Sequence, residues 1–245
     1  MRKTARGFYE AVPAPPFTCF FHARDPLRYF NYAIPDEPCG GDLGDALDRL
    51  RATFRGRDRL PRFEYVEGFA PDLGAALEDA GFEVELRAPL MTVPTADVAD
   101  PPAIEGLEIV SASHDVRAYL TVGRRAFGES DGPEVSDEEV EERRARQDVS
   151  TALLGLLDGE PVAVSAATPP LDGLTEVAGV GVLGHARGRG IGGAMTAAAA
   201  RDAAAKGAEL AFLAPGSEAA QSVYTRVGFR PAEVALYYAD STDAG

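Results

Sequence analysis

The chain has 245 residues, 45% hydrophobic and 26% charged, which suits a globular protein of one large or two small domains. Its formal net charge of −15 argues against nucleic acid and anionic membrane as partners, since both demand a basic face. Two cysteines, Cys19 and Cys39, and three scattered histidines, His22, His114 and His185, give neither a disulfide framework nor a metal-ligand spacing, so no metal is expected.

Lys3 and Lys206 are the only lysines, a bias that fits either GC-rich coding or adaptation to salt. The basic first ten residues are followed by no apolar core of a signal peptide, and no apolar run approaches the ~18 residues of a spanning helix, so a cytoplasmic protein is expected.

In chain order, residues 17–22 and 29–34 read as strands, with Asp25-Pro26 a turn between them. Residues 36–44 form an acidic loop containing Gly and Pro. Helical spacing over residues 45–54 places Ala46, Leu47, Leu50 and Phe54 on one face. Residues 62–66 are strand-like, 71–80 make a short helix stopped by Gly81, and 83–93 are extended. Pro94, Pro101 and Pro102 then break the pattern, which predicts a linker over residues 94–106 between domains 1–93 and 107–245.

The second half starts with a strand at 107–110 and a helix at 115–127 carrying Val116, Tyr119, Leu120 and Gly123 on one face. Ser136 and Glu139 form a capping box that opens a helix polar almost all round. Residues 152–157 and 161–167 make a hairpin across Asp158-Gly159. A strand at 176–183 runs through a Gly/Arg turn into a helix at 194–205, followed by a strand at 210–213, a helix at 217–227 ended by Gly228, and a strand at 234–238. The predicted class is an α/β layer architecture.

The turn Arg187-Gly188-Arg189-Gly190-Ile191-Gly192-Gly193 carries the chemistry. Helix-start N–H groups lack internal partners and sit at the positive end of the helix dipole, and glycines admit a phosphate close to the backbone. Gly188, Gly190 and Gly193 also match a dinucleotide fingerprint, but three strands precede the turn and the next strand ends Phe212-Leu213-Ala214 with no acid for a ribose. A nucleotide P-loop would need Gly-Lys-Ser/Thr, which is missing.

The same residues resemble the GNAT superfamily of N-acyltransferases. Its diphosphate signature, Arg/Gln-x-x-Gly-x-Gly/Ala, is met by Arg187 to Gly192, and its Glu-apolar-x-x-apolar-x-Val strand by Glu176 to Val182. Its downstream Asn-x-x-Ala-x-x-apolar-Tyr-x-x-x-Gly-Phe is similar to Ser217 through Tyr224 to Gly228-Phe229, with Ser217 in place of Asn. Gly184 stands where Pro is frequent. The resemblance covers about residues 104–240 and implies acetyl-CoA as cosubstrate. It places the pantetheine arm along Val180 and Val182, and the diphosphate on the amides of Gly188, Arg189, Gly190, Ile191 and Gly192. Arg187 and Arg189 would add charge-assisted bonds, and Ser217 is a further cofactor contact.

An offset of 147 positions lays Gly81-Phe82 on Gly228-Phe229 and Leu77 on Tyr224. It lays the 29–34 strand and the 45–54 helix on the cofactor strand and its helix. The fold expected is therefore α/β with two GNAT-like αβ modules, each a mixed twisted sheet flanked by helices. The first is degenerate: Gly40 replaces Arg187, Leu43 replaces Gly190, Asp45 replaces Gly192, and Asp36, Glu37 and Asp42 crowd the loop. Its expected role is structural or substrate-shaping.

The resemblance implies acyl transfer to a primary amine of a small molecule or a protein by direct attack on the thioester. Glu176, expected to share strand parity with Val180 and Val182 and so face one cleft with them, is the candidate base. Tyr224 is the candidate acid, and a backbone N–H near Val182 the oxyanion donor. Each side chain also has a plainer reading, Glu176 as a solvated or ion-paired strand residue and Tyr224 as half-buried packing. The alternative function is a non-catalytic CoA-binding sensor or scaffold. Oligomeric state is open.

Overall fold

The structure, a computed structural model, describes residues 9–22, 30–128, 134–145 and 150–241. The chain forms two compact units, Met1–Leu90 with Pro231–Gly245, and Met91–Arg230.

In the first unit, β1 (Glu10–Ala14), β2 (Phe17–Phe21) and β3 (Asn31–Pro35) form an antiparallel meander. β3 runs parallel to β4 (Arg62–Val66). The last strand of the chain, here β11 (Arg230–Asp240), is antiparallel to β4, with Leu236 opposite Tyr65. Helix α1 (Gly44–Arg55) buries the face read from its spacing, Ala46, Leu47, Leu50 and Phe54. These residues meet Phe17, Phe21, Phe63, Phe82 and the Leu77 of helix α2 (Leu73–Asp79) in one core. Asp240 at the end of β11 is buried and paired with Arg51 Nε of α1 at 2.7 Å. The Asp25-Pro26 turn and Tyr29 lie outside the described residues.

The sequence reading has no counterpart to β1. Its Pro13 removes a ladder donor, and that reads against a strand unless the strand is paired as β1 is, along β2.

In the second unit, β6 (Leu107–Ser111), β7 (Thr151–Leu157), β8 (Glu160–Ala167) and β9 (Leu174–Val182) are successively antiparallel. β10 (Leu210–Leu213) is parallel to β9 and antiparallel to Met91–Pro94, the end of β5 (Phe82–Pro94). Helix α3 (Val116–Ala126) lies on one face of this sheet, contributing Val122 to a cluster with Leu154, Leu156 and Val164. Helix α5 (Ile191–Ala205) lies on the other, through Met195 and a row of alanines, beside α6 (Glu218–Val227). Helix α4 (Asp137–Ala145) opens with the expected capping box: Glu139 N–H donates to Ser136 Oγ at 3.2 Å, and Ser136 N–H donates to Glu139 Oε2 at 2.7 Å. The hairpin turn holds Asp158 and Gly159 at φ 52° and 86°, the left-handed pair that a two-residue loop requires.

Two expectations about organisation differ from what the chain does. Residues 94–106 are not a loose linker. Thr95 Oγ1 donates to Ala208 O, Ala99 N–H donates to Val227 O, and Arg201 Nη2 donates to the carbonyls of Val98 and Ala99, which anchors this stretch along the second unit. Nor do residues 107–245 form one unit, because β11 builds its ladder on β4. Sequence periodicity marks a strand but not its neighbour, so neither point was legible beforehand.

Candidate active site

The sequence builds the Gly/Arg turn before α5 with glycines at the two positions that need them. Gly188 and Gly190 adopt φ 79° and 85°, left-handed values that a side chain resists. Gly190 is the N-cap of α5, which starts at Ile191, three residues earlier than its alanine pattern suggests. No side chain caps this helix, and its first internal bond runs from Ala194 N–H to Gly190 O. The amides of Ile191, Gly192 and Gly193 therefore precede the helical ladder. Gly188, Arg189 and Gly190 are exposed, and a Cβ added at Gly188 would meet nothing within 4 Å. Arg189 makes no hydrogen bond or ion pair among the described residues. The turn is an open cradle of N–H groups with a free cation beside it.

Strand β9 is bent where it reaches this turn. Against β8, Val177 and Ala178 oppose Ala167 and Ala166, while Gly181 and Val182 oppose Val164 and Ala163. Three steps on β9 therefore match two on β8, whose own register with β7 is regular there. The extra residue is a bulge at Gly179-Val180, with Gly179 at φ 60°. The β10 register ends at Glu176 opposite Phe212, while β9 continues to Val182. One edge of residues 177–182 thus lies beyond the β10 ladder.

The bulge also corrects the parity reading. Val177 and Val182 pair with Ala167 and Ala163, which share a face of β8, so both valines face α5 although they stand five apart. Val180 packs on this side too, in the cluster that contains Ile191 and in the one that Tyr224 touches. Glu176 alternates with Val177 and so lies on the opposite face, the one α3 covers. In a regular strand Glu176, Val180 and Val182 would line one side; the inserted residue flips them.

Glu176 is half-buried, and desolvation pushes its carboxyl above the ordinary carboxylate range. Its backbone is held by Thr168 alone in these bonds, Glu176 N–H donating to Thr168 Oγ1 at 2.9 Å and Thr168 N–H donating to Glu176 O at 2.9 Å. Tyr224, on α6, packs its ring against Phe229 at 6.2 Å between centroids. Burial raises the pKa of its hydroxyl as well, so it is protonated at neutral pH. That hydroxyl engages no protein partner among the described residues.

Two expected ligand residues are engaged elsewhere. Ser217 Oγ accepts from Ala220 N–H at 3.2 Å and caps α6. Arg187 Nε donates to Val182 O at 2.9 Å, and Arg187 Nη2 donates to Ala126 O at 3.3 Å. Tyr238 is core: it is buried, stacked on Tyr65 and donates to Glu78 Oε1 at 2.9 Å. Arg124 of α3 pairs with Glu139 of α4. Among the described residues no group of three or more His, Cys, Asp or Glu could hold a metal ion, and no helix is long and apolar enough to cross a membrane.

Residues 118–229 match the acetyltransferase (GNAT) family. A solved GCN5-related N-acetyltransferase from Kribbella flavida is 30% identical, with a TM-score of 0.78, over 98% of this chain and 92% of that one. The chain belongs to the GCN5-related N-acetyltransferase family. A curated mycothiol acetyltransferase of Streptomyces griseus is 32% identical over 164 residues, 63% of this chain and 53% of that relative. The chain thus spans about half the length of that relative. A tandem GNAT protein from the clavulanic acid biosynthesis pathway is 16% identical with a TM-score of 0.59, over 91% of this chain and 77% of that one, which speaks for the fold alone. In family terms, the bent β9, the uncapped α5 and Tyr224 are the parts that the sequence motifs marked. The bulge that sets their sides is marked by no motif.

Proposed function

We propose that the chain is an acyl-CoA-dependent N-acyltransferase, with acetyl-CoA as cosubstrate and the primary amine of a small molecule as acceptor. The observation that carries this is the uncapped, exposed glycine turn at the start of α5, placed at the end of a strand that has left its neighbour. The amides of Gly188, Arg189, Gly190, Ile191 and Gly192 would hold the diphosphate, with Arg189 adding a charge-assisted bond. The free edge of β9 at Val180 and Val182 would pair with an extended pantetheine arm as one more strand.

Bound acetyl-CoA supplies an acyl group activated as a thioester. An alkylamine of pKa ~10.4 is neutral in only about 1 in 2,500 molecules at pH 7, which corresponds to roughly 4.6 kcal/mol of barrier. Glu176 removes the ammonium proton, directly or through water, and its raised pKa brings it nearer to that task. Because Glu176 and the α5 turn lie on opposite faces, the acceptor approaches from the α3 side and the cosubstrate from the α5 side, meeting at the free edge of β9. Val182 N–H polarises the thioester carbonyl. Tyr224 gives its proton to the departing sulfur.

The 32% match makes amines related to the substrate of a mycothiol acetyltransferase the first acceptors to try. Calorimetry with CoA and acetyl-CoA, followed by thiol release with an amine panel, tests the reading. Micromolar binding with turnover is expected. Binding without turnover on any amine would favour the sensor or scaffold, a reading that Ser217's use as a helix cap leaves standing. Tyr224→Phe is expected to lower kcat about 10-fold with KM nearly unchanged; an unaltered kcat removes Tyr224 from the acid role.

A further inference from the structure

We propose that Arg187, the first residue of the diphosphate signature, is a positioning residue that sets the Val182 peptide rather than a ligand of the phosphates. The proposal rests on the reading that Val182 N–H is the donor to the thioester carbonyl.

The end of β9 is a difficult place to hold an N–H still. Gly179, Gly181 and Gly184 surround Val182, and each frees the backbone beside it. The neighbouring strand that would normally restrain this edge stops at the level of Glu176. Leu183 N–H donates to Val162 O at 2.9 Å on the β8 side. Backbone groups of successive strand residues point to opposite edges, so the N–H and C=O of Val182 both face the free edge. The peptide joining Val182 to Leu183 is therefore held by β8 at its N–H end, and at its carbonyl end by Arg187 Nε, 2.9 Å from Val182 O. With that plane fixed on both sides, the preceding N–H of Val182 has little freedom left.

The other half of the guanidinium ties this peptide to α3. Nη2 donates to the carbonyl of Ala126, the last residue of that helix, where a cation also meets the negative end of the dipole. The helix can come this close because residue 181 is glycine. A Cβ there would stand 2.8 Å from Ala126 Cβ and 3.1 Å from the Phe127 ring. Arg187 thus fastens a glycine-rich strand end to a rigid helix end, and its planar fork reaches both carbonyls at once.

Three variants separate positioning from phosphate binding. Arg187→Gln keeps an N–H donor for Val182 O and loses the charge; Arg187→Lys keeps the charge and loses the fork; Arg187→Ala loses both. Each is measured for CoA affinity by calorimetry, for kcat, and for amide hydrogen exchange across residues 177–183 in the protein without ligand. Arg187→Ala is expected to bind CoA within about 3-fold of the parent, to exchange faster in that segment, and to lose about 10- to 100-fold in kcat. Arg187→Gln is expected to recover more of kcat than Arg187→Lys. Affinity lost 10-fold or more in Ala and Gln but kept in Lys, with kcat and exchange unmoved, would make Arg187 a phosphate ligand and overturn the proposal. If Ala does not fold, the Gln and Lys pair still decides. If the parent protein itself fails to bind CoA, it is the acyltransferase reading that falls, and the exchange measurement still judges the clamp.

Discussion

The two αβ repeats have the same order of elements and opposite treatment of one helix start. β3, α1, β4, α2 and β5 in the first repeat follow the order of β9, α5, β10, α6 and β11 in the second, and α1 and α5 begin 147 positions apart at Gly44 and Ile191. At α5 the first amides are uncapped and the loop glycines are exposed. At α1 the carboxylate of Asp42 already accepts from Gly44 N–H at 3.1 Å. Gly40 is pressed onto the start of α2, so that an added Cβ would lie 2.5 Å from Asp72 Cβ. Leu77, fully buried in the first core, stands where the second repeat has half-exposed Tyr224. We read the first repeat as a module in which the protein's own carboxylate has taken the anion's place. Cys39 and Leu43 of the loop before α1 pack against the first core, so in this repeat the loop serves the apolar scaffold.

Cutting the chain between the repeats should have the largest effect. A fragment of residues 94–245 lacks Met91–Val93, which pair with β10, and β4, which pairs with β11. It is expected to be insoluble or to melt without cooperativity, as seen by circular dichroism and size exclusion; a monomeric fragment that melts sharply and binds CoA would make the two repeats independent. Glu176→Gln should lower kcat about 10²–10³-fold. In the parent, kcat/KM should fall as pH drops through the raised carboxyl pKa, and this acid limb should vanish in the variant. The same burial works against stability. A carboxyl whose folded pKa is raised stabilises the fold only while protonated, and that contribution is lost as pH rises. Glu176→Gln should therefore raise Tm at pH 7–8, with the gain fading towards pH 4; a Tm below the parent's at pH 8 would contradict the desolvation argument.

Gly192→Asp copies into the second repeat the acid that the first carries at Asp45. Its Cβ would meet only ordinary contacts, 3.8 Å from Val182 and 3.9 Å from Val223, so the fold should persist. A carboxylate facing the diphosphate should weaken CoA about 50-fold or more, on the order of 2–3 kcal/mol. Calorimetry showing unchanged affinity would move the phosphates away from this turn. The smallest effect should come from Asp42→Asn, which lowers Tm by about 1–3 °C and leaves CoA affinity and kcat alone. An effect on CoA affinity would show that the first repeat contributes to binding.

Much of this was legible because it is local. Helical spacing marked the buried face of α1, a Ser with Glu three residues on marked the α4 cap, and Asp-Gly marked the β7–β8 turn, since each is decided by residues within one or two turns of chain. The Gly/Arg turn that opens α5 was legible for the same reason: its glycines, its arginines and the helix behind it are contiguous. Ser217 carried a second local signal, since Ser directly before a helix is also a cap, and its Oγ accepts from Ala220 N–H.

By itself, then, the sequence determined most of the strands and helices, though not β1, and that a glycine turn with two arginines opens α5 and has no equivalent before α1. The tertiary structure decided which face each site residue occupies, which strand β11 joins and what Arg187 holds. The reason is that these depend on pairing across the sheet. Gly179 can extend a strand or bulge it with nearly equal ease, and only its register against β8 reveals that one residue is extra and that Glu176 has crossed to the other side.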